Sequence, residues 1–555
     1  MDTEKRCLAK GLTPEQERAD QDLSPFELKN KLIDRAQHAP KTFLNAGRGN
    51  PDFLNTLARR GFAKLMEFAV DTCVELEANI ALRPVPSGIH EALLRWLQSE
   101  SSEGAAFLKR AIPFAIEHLG AEPDAFVYEL VDGILGDFYP SPPRILPNVE
   151  KVVGIYLNGV LLSGNGTPGS FDYFATEGGT AGMVYAFKSL EENFLLNKRD
   201  KVAIITPIFS PYLEIPQLND FEFEVVAIEA AEKDKWQIPE EEIRKLEDRS
   251  IKVLYTVNPT NPSAVALSER TIRRLERAVS KNSDLIILVD AVYATFVHTF
   301  RSLIEAFPHN CLIVYSFSKY FGATGWRLGA MMLHKENVID RRIGALPPEW
   351  KRALADRYRT VSEDADEIKF IDRLVLDSRD VALGHTAGLS CPQQVMMALF
   401  ALHDLLHGET YRPYVRGLID ARIAALYAEF RRRIDYLHSD ESTHYYTLID
   451  LLELAEKSKK GLGVHMKTCF YPVDFVYCLA IDQGAVCLPG RGFFEPEEEA
   501  VGRITPEDRD NWSIRVSLAN LSQEYDEADY SDLGKRIMAV LAMYEADFEK
   551  SPAKP

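Results

Sequence analysis

The stretch that decides the fold is Ser316-Phe-Ser-Lys-Tyr-Phe-Gly-Ala-Thr-Gly-Trp-Arg-Leu-Gly329, which follows the apolar run at residues 312–316. A lysine amine forms a Schiff base with a carbonyl compound when its surroundings lower its pKa. The hydroxyls of Ser316 and Ser318 and the guanidinium of Arg327 are groups that hold a phosphate. A solvated surface position is the commoner role for any single lysine, so the role of Lys319 depends on the surrounding sequence.

Short apolar runs alternate with amphipathic segments around this stretch. Runs rich in Val, Ile and Leu without polar alternation are typical of strands buried on both faces. The amphipathic segments between them predict helices, so the expected architecture is α/β, with a mostly parallel central sheet in a large domain. The predicted strands cover residues 171–176, 201–206, 252–257, 285–290 and 312–316, and predicted helices cover residues 240–247 and 269–279.

The regions before and after the sheet have different patterns. Apolar spacing of three and four residues predicts helices at 62–80, 90–99 and 107–119, and Pro140-Ser-Pro-Pro143 breaks the chain after them. From about residue 395 we predict a helix to 437, strands at 475–481 and 512–517, and a last helix at 531–548. The predicted organisation is an N-terminal segment with a helical insertion that contributes to the small domain (1–150), a large domain (151–395) and a smaller α/β domain (396–555).

Polar residues stand at the ends of several predicted strands, where parallel sheets bind their ligands. Thr176-Glu-Gly-Gly-Thr-Ala-Gly182 opens a helix whose first N–H groups favour an anion. Asp290 ends another strand, and Tyr293 follows it. Taken alone, a glycine turn before a helix is usually only geometry, and an acid at a strand end is often the cap of the next helix.

Composition excludes several classes of partner. The chain has 555 residues, with 64 Lys and Arg against 83 Asp and Glu, and a formal net charge of −19, which argues against nucleic acid as a partner. The best apolar candidate, residues 285–297, contains Asp290 and is shorter than the roughly 18 residues of a membrane helix, and the start shows no signal-peptide pattern. The seven cysteines are never spaced as C-x-x-C, which predicts a reducing, cytoplasmic compartment and no metal site.

These motifs together, in this order, resemble those of the fold-type I aminotransferases, which depend on pyridoxal 5′-phosphate. The resemblance covers residues 170 to 520 and implies that fold, with pyridoxal 5′-phosphate as cofactor. It rests on the lysine motif at 316–329, Asp290-Ala-Val-Tyr293, Asn258-Pro-Thr-Asn-Pro262, Gly178-Gly-Thr180 and Ser513-Ile-Arg-Val516.

The resemblance implies a role for each matching residue. Lys319 bonds covalently to the cofactor and then carries a proton, and Asp290 pairs with the pyridine nitrogen and keeps it protonated. Tyr293 and Asn261 hydrogen-bond to the phenolic oxygen of the ring, and Arg515 binds the substrate α-carboxylate. The ring stacks on Phe209, and the phosphate is held by Gly178, Gly179, Thr180, Ser316, Ser318, Arg327 and, across a dimer interface, Tyr139.

A closer resemblance covers nearly the whole chain and points to a branch of the family that decarboxylates L-aspartate. That branch carries a helical N-terminal insertion. The resemblance implies β-decarboxylation of L-aspartate to L-alanine and CO2 through a ketimine, with a secondary aspartate aminotransferase activity that uses 2-oxo acids. It also implies a homodimer with shared active sites and a higher oligomer built of dimers. The motifs are Leu23-Ser-Pro-Phe-Glu-Leu-Lys29, Leu44-Asn-Ala-Gly-Arg-Gly-Asn-Pro-Asp52 and Leu130-Val-Asp-Gly-Ile-Leu-Gly136.

One departure from ordinary aspartate aminotransferases bears on the reaction. Those enzymes bind the distal carboxylate with an arginine of the neighbouring subunit. No clear equivalent of this arginine can be placed before residues 385–390, and Arg379 is the nearest candidate. A tight ion pair stabilises the carboxylate that must leave as CO2, so its absence favours decarboxylation. Arg48 and Lys29 are the other predicted substrate contacts. We expect Arg48 to align the β-carboxylate or to shield the cofactor from water, and an ordinary loop arginine is the alternative.

Two other functions remain open from the residues alone. A plain aspartate or broad-specificity aminotransferase would share every cofactor motif. A pyridoxal-phosphate-binding regulator would need a basic DNA-binding module at one end, and the N-terminal region shows no basic recognition helix.

Overall fold

The computed structural model describes residues 5–21, 23–163, 169–218, 221–381, 383–430, 436–493, 511–521 and 529–550. The first third is mainly helical, as predicted. Several of its helices begin at polar caps, such as Ser24 with Glu27 in a capping box. The elements are α1 (Pro14–Asp20), α2 (Pro25–Gln37), β1 (Leu44–Asn45), α3 (Thr56–Asp71), β2 (Val74–Glu77), β3 (Ile80–Leu82), α4 (Ile89–Ser99), α5 (Glu103–Leu119), α6 (Pro123–Leu135) and α7 (Pro147–Leu161).

The middle of the chain contains the central sheet. Every residue of three of its strands is buried, as the unalternating apolar runs predict. The elements are β4 (Phe171–Thr176), α8 (Gly179–Glu192), β5 (Lys201–Thr206), α9 (Pro211–Glu214), β6 (Glu224–Glu229), α10 (Glu240–Arg244), β7 (Ile251–Val257), α11 (Glu269–Lys281), β8 (Ile286–Asp290), α12 (Leu303–Ala306), β9 (Cys311–Ser316), β10 (Gly329–His334), α13 (Val338–Gly344), α14 (Pro348–Tyr358) and α15 (Phe370–Ser378).

The strand order in this sheet is β4-β10-β9-β8-β7-β5-β6, and only β10 runs antiparallel to its neighbours. The prediction of an α/β fold with a mostly parallel sheet is therefore confirmed. The strands β6 and β10 are absent from the sequence-based prediction. Because the parallel strands end at one edge, Thr176, Asp290 and Ser316 come together there.

The C-terminal part begins with one long helix. Its small sheet has the order β11-β14-β13 and is antiparallel, and β12 pairs in parallel with β1 of the N-terminal segment. The elements are α16 (Cys391–Ala428), β11 (Tyr446–Asp450), α17 (Leu451–Ser458), α18 (Leu462–Cys469), α19 (Pro472–Gln483), β12 (Ala485–Val486), β13 (Leu488–Pro489), β14 (Ser513–Ser517) and α20 (Tyr530–Lys550).

Helix α16 ties the central sheet to the segments that surround the pocket. Arg416 donates to the carbonyl of Thr295, which follows β8. One turn and a half further on, Arg422 donates to the carboxylate of Asp52 at 2.8 and 2.9 Å and to the carbonyls of Leu518 and Ala519. This helix therefore fixes the loop after β1 relative to the end of β14.

Three predicted elements are wrong in extent or type. The helix predicted at 62–80 ends at Asp71, because the β-branched and acidic residues that follow form the β2–β3 hairpin. Residues 475–481 lie in helix α19, not in a strand; this helix is buried on nearly all sides and shows no polar stripe. Helix α16 ends at Ala428 rather than at 437, and residues 431–435 of the predicted helix lie outside the described residues.

No helix in the described ranges is both long enough and apolar enough to span a bilayer. The three-part division of the chain at residues 150 and 395 stays a prediction.

Candidate active site

A pocket of about 320 Å³ opens where the strands of the central sheet end, between the segment 47–50 and strands β11 and β14. It gathers most of the predicted site residues from separate regions of the chain. Its wall contains Lys29, Arg48, Gly179, Thr180, Phe209, Asn261, Asp290, Tyr293, Ser316, Ser318, Lys319, Arg327 and Arg515. Gly178 adjoins the wall, because a Cβ there would lie 2.5 Å from Nη2 of Arg327.

Lys319 projects into this pocket from the turn after β9. Its Nζ donates a hydrogen bond of 3.0 Å to the carbonyl of Gly49. The same carbonyl accepts the phenol of Tyr445 at 2.9 Å. A side chain at Gly49 has no room, because its Cβ would lie 2.2 Å from the hydroxyl of Tyr446. The glycine therefore lets the backbone of this loop approach the lysine closely.

Asp290 lies buried at the end of β8. Its Oδ1 accepts the N–H of Val292 at 3.0 Å and its Oδ2 accepts the phenol of Tyr212 at 2.7 Å. Burial raises the pKa of the Asp290 carboxyl above its ordinary value, while the two hydrogen bonds and the charge of Lys319 act in the opposite direction. None of its hydrogen-bond donors among the described residues is a cation, and such a buried carboxylate is suited to pair with a protonated ring nitrogen.

Tyr293 contacts a residue that no motif predicted. Its hydroxyl lies 3.0 Å from that of Tyr446, and burial raises the pKa of Tyr293 well above its ordinary value. Tyr446 lies on β11 and reaches the pocket only because β11 pairs with β14, so the sequence around it carries no signal of this position.

Part of the pocket wall is suited to a phosphate. Helix α8 begins at Gly179 with no side-chain cap, and Gly178 before it has a φ of +93°, a conformation that favours glycine. Arg327 donates to the carbonyls of Thr324 and Glu177 at 3.1 and 3.2 Å. Free N–H groups at a helix start, an arginine and two serine hydroxyls together form an anion site.

Arg515 is buried in the wall of the same pocket. Its Nη1 donates to Oδ1 of Asn261 at 3.2 Å and its Nη2 to the carbonyl of Gly47 at 2.9 Å. The guanidinium lies between the rings of Tyr446 and Phe493, 4.5 and 4.8 Å from their centroids. Burial lowers the pKa of Arg515, and its Nε has no hydrogen-bond acceptor among the described residues. Such a guanidinium is positioned to bind a small carboxylate.

Arg48 is a second guanidinium with unused donors. Its Nε and Nη2 are buried and have no acceptor in the part of the chain that the structure describes, and burial lowers its pKa. Arg379, by contrast, donates to the carbonyl of Pro143 at 2.7 Å and does not line this pocket. Tyr139 is 66% exposed and lines a separate surface groove. Its predicted role in a partner's active site stays a prediction.

The family model for aminotransferase class I and II matches residues 176–516, more than half of the chain. The chain belongs to this family. A Pseudomonas protein named bifunctional aspartate aminotransferase and L-aspartate beta-decarboxylase is 42% identical over 93% of this chain and 95% of its own length. An aspartate aminotransferase of Sulfolobus acidocaldarius is 31% identical over 28% of this chain and 39% of its own length.

Solved structures of the family have the same fold. An aspartate aminotransferase of Thermus thermophilus matches with a TM-score of 0.55 and 15% identity, covering 96% of this chain and 99% of its own. Bna3p of Saccharomyces cerevisiae, a putative kynurenine aminotransferase, matches with a TM-score of 0.59 and 15% identity over 96% and 99%. The predicted fold-type I architecture is confirmed.

The family depends on pyridoxal 5′-phosphate, and this pocket fits that cofactor. The uncapped start of α8 with Arg327 matches its phosphate, and the buried carboxylate of Asp290 matches its ring nitrogen. Lys319 lines the same pocket. The predicted contacts of Phe209, Tyr293 and Asn261 with the cofactor ring are consistent with their places in the wall and stay predictions.

Proposed function

We propose that this chain catalyses the β-decarboxylation of L-aspartate to L-alanine and CO2, with aspartate aminotransferase activity alongside it. The observation that carries the proposal is a pocket that combines Lys319 and Asp290 with the guanidinium groups of Arg515 and Arg48, each of which has buried N–H donors without an acceptor among the described residues. Likeness along the whole chain to a relative whose name joins both activities supports it. L-Aspartate has two carboxylates, and each guanidinium can serve one of them.

In this proposal Arg515 binds the α-carboxylate and Asn261 keeps its guanidinium in place. The bound cofactor supplies an electron sink for the substrate carbon that loses a bond. Asp290 holds the positive charge of the ring nitrogen, and Nζ of Lys319 takes the proton from the α-carbon and returns a proton at a later step. Tyr293 and Asn261 donate to the ring oxygen.

The segment 47–50 sets which reaction follows. Its carbonyls lie against Lys319 and Arg515, and Arg48 lines the pocket from the same segment. A covered site excludes water, whose attack leads to the aminotransferase products, and so gives the β-carboxylate time to leave. In this proposal Arg48 favours decarboxylation over the aminotransferase reaction, and Lys29 contacts the substrate.

The active unit is a homodimer with shared active sites, and dimers assemble further. The exposure of Tyr139, outside the pocket of its own chain, suits a side chain that reaches a neighbouring subunit. We place the protein in the cytoplasm; the seven free cysteines, of which three are only partly buried, suit a reducing compartment.

Product analysis tests the function. Purified protein with pyridoxal 5′-phosphate and L-aspartate, without a 2-oxo acid, is expected to release CO2 and L-alanine in equal amounts through many turnovers. A plain aminotransferase stops after one turnover without a 2-oxo acid and forms oxaloacetate. Oxaloacetate as the only product would therefore replace the proposal by that alternative.

Replacing Arg48 by alanine tests its part in the choice. We expect a lower ratio of L-alanine to oxaloacetate, with exchange of the α-proton less affected, because the change opens the pocket to water. Both products and the exchange rate are measured on one sample. Arg515→Ala is the control: it should lower kcat/KM for both reactions by on the order of 100-fold, since both begin with the same α-carboxylate. An unchanged product ratio in Arg48→Ala would place Arg48 outside the reaction.

A further inference from the structure

Among the residues that the structure describes, only Tyr212 donates a side-chain hydrogen bond to the carboxylate of Asp290. Its hydroxyl donates to Oδ2 at 2.7 Å, and the other donor, Val292, uses its backbone N–H. The positive charge of Lys319 also acts to lower the pKa of the Asp290 carboxyl. A side-chain substitution cannot remove the backbone N–H of Val292. The phenol of Tyr212 is therefore the donor to Asp290 that a substitution can remove.

The phenol is held in place from several directions. Tyr212 is fully buried in α9, and its ring packs edge-on against Phe209, with centroids 5.3 Å apart at 89°. Its N–H donates to the carbonyl of Phe209 at 2.8 Å, and its own carbonyl accepts the phenol of Tyr255 at 3.2 Å. One short turn thus carries both the aromatic residue beside the pocket and the donor to Asp290.

We propose that Tyr212 is a positioning residue that keeps Asp290 ionised and oriented toward the ring nitrogen of the cofactor. The proposal rests on the proposed cofactor site. A fully buried carboxyl tends toward its neutral form, which cannot hold a protonated ring nitrogen. A hydroxyl that donates to the ionised oxygen favours the charged form and fixes the plane of the carboxylate.

Burial also fixes the direction of this hydrogen bond. It raises the pKa of the Tyr212 phenol well above its ordinary value, so the phenol keeps its proton and remains the donor. The proton stays on Tyr212 while Asp290 keeps its negative charge. No bond is broken, and Tyr212 acts on the cofactor only through Asp290.

Tyr212→Phe tests the proposal because it removes one oxygen and keeps the ring. We expect the dissociation constant of pyridoxal 5′-phosphate to rise on the order of tenfold. We also expect the midpoint pH of the absorbance change of the bound cofactor to rise by about one unit. A protonated ring nitrogen lowers the pKa of Nζ of Lys319, which joins the lysine to the cofactor, and the variant weakens that protonation.

Tyr255→Phe is the matched control. Tyr255 is also fully buried, and its hydroxyl donates to a backbone carbonyl of the same turn rather than to Asp290. Thermal unfolding of each variant checks the fold. The control should bind the cofactor with the wild-type affinity and the wild-type midpoint pH. Equal changes in cofactor affinity and midpoint pH in both variants would show that Tyr212 acts only through packing, and would overturn the proposal.

A double-mutant cycle with Asp290→Asn separates positioning from packing. In the Asp290→Asn background, Tyr212→Phe should add no further change in cofactor affinity, because the carboxylate that it serves is gone. A full additive loss would overturn the proposal. Failure of the wild-type protein to bind pyridoxal 5′-phosphate would instead overturn the cofactor site itself, so the two failures are distinguishable.

Discussion

Lys319→Ala is expected to abolish the covalent link to the cofactor and to lower kcat by on the order of 10⁴-fold or more. In the proposed function the lysine amine is both the attachment point and the group that moves the proton at the α-carbon, so no other residue is expected to replace it. The fold should tolerate the change, because the one acceptor of Lys319 among the described residues is the carbonyl of Gly49, and that carbonyl keeps the phenol of Tyr445 as a donor.

Borohydride reduction followed by dialysis measures the link. The wild-type protein should retain the reduced cofactor, and Lys319→Ala should lose it while still binding the cofactor reversibly through the phosphate site. Lys29→Ala is the control, because Lys29 lines the same pocket but is not the proposed attachment point. This variant should retain the reduced cofactor. Retention of the reduced cofactor in Lys319→Ala would contradict the assignment and direct attention to another lysine.

Asp290→Ala is expected to lower kcat by at least about 100-fold while leaving the fold intact. A ring nitrogen without a carboxylate partner loses its proton, and the neutral ring accepts electrons poorly, so the loss falls on the chemical step. Removal of the buried carboxylate relieves its desolvation but leaves the phenol of Tyr212 and the N–H of Val292 without their acceptor, so we expect a folded protein with a lower unfolding temperature.

Asp377 provides a matched control for Asp290. Its side chain is 1% exposed, lies outside the pocket, and accepts hydrogen bonds from Arg357, Tyr358 and Ser189. Asp377→Asn should therefore lower the unfolding temperature and leave the rate per folded molecule unchanged. Steady-state rates and thermal unfolding are measured for both variants. Near-normal turnover of Asp290→Ala would show that another group holds the ring nitrogen.

Local sequence signals account for the central sheet and for much of the pocket. Asp290 ends one buried apolar run, and Lys319 and Gly179 come three residues after two others. Such runs predict parallel strands whose ends meet at one edge. The motif residues could be predicted because each lies next to the strand or helix that positions it. The same reasoning failed at α19, whose burial on nearly all sides removes the polar stripe that marks a helix.

Only the tertiary structure decided which distant residues surround those motifs. Tyr446 reaches Tyr293 through the pairing of β11 with β14, and the phenol of Tyr212 reaches Asp290 from a turn 78 residues away. Arg379, the nearest candidate for the arginine that ordinary aspartate aminotransferases supply from the neighbouring subunit, donates to the carbonyl of Pro143 and does not line the pocket of its own chain. A local sequence pattern reflects the interactions within one element, whereas these contacts form only when separate elements pack together. The amino-acid sequence by itself therefore determined which chemical groups the site contains, and the tertiary structure decided which residues surround them.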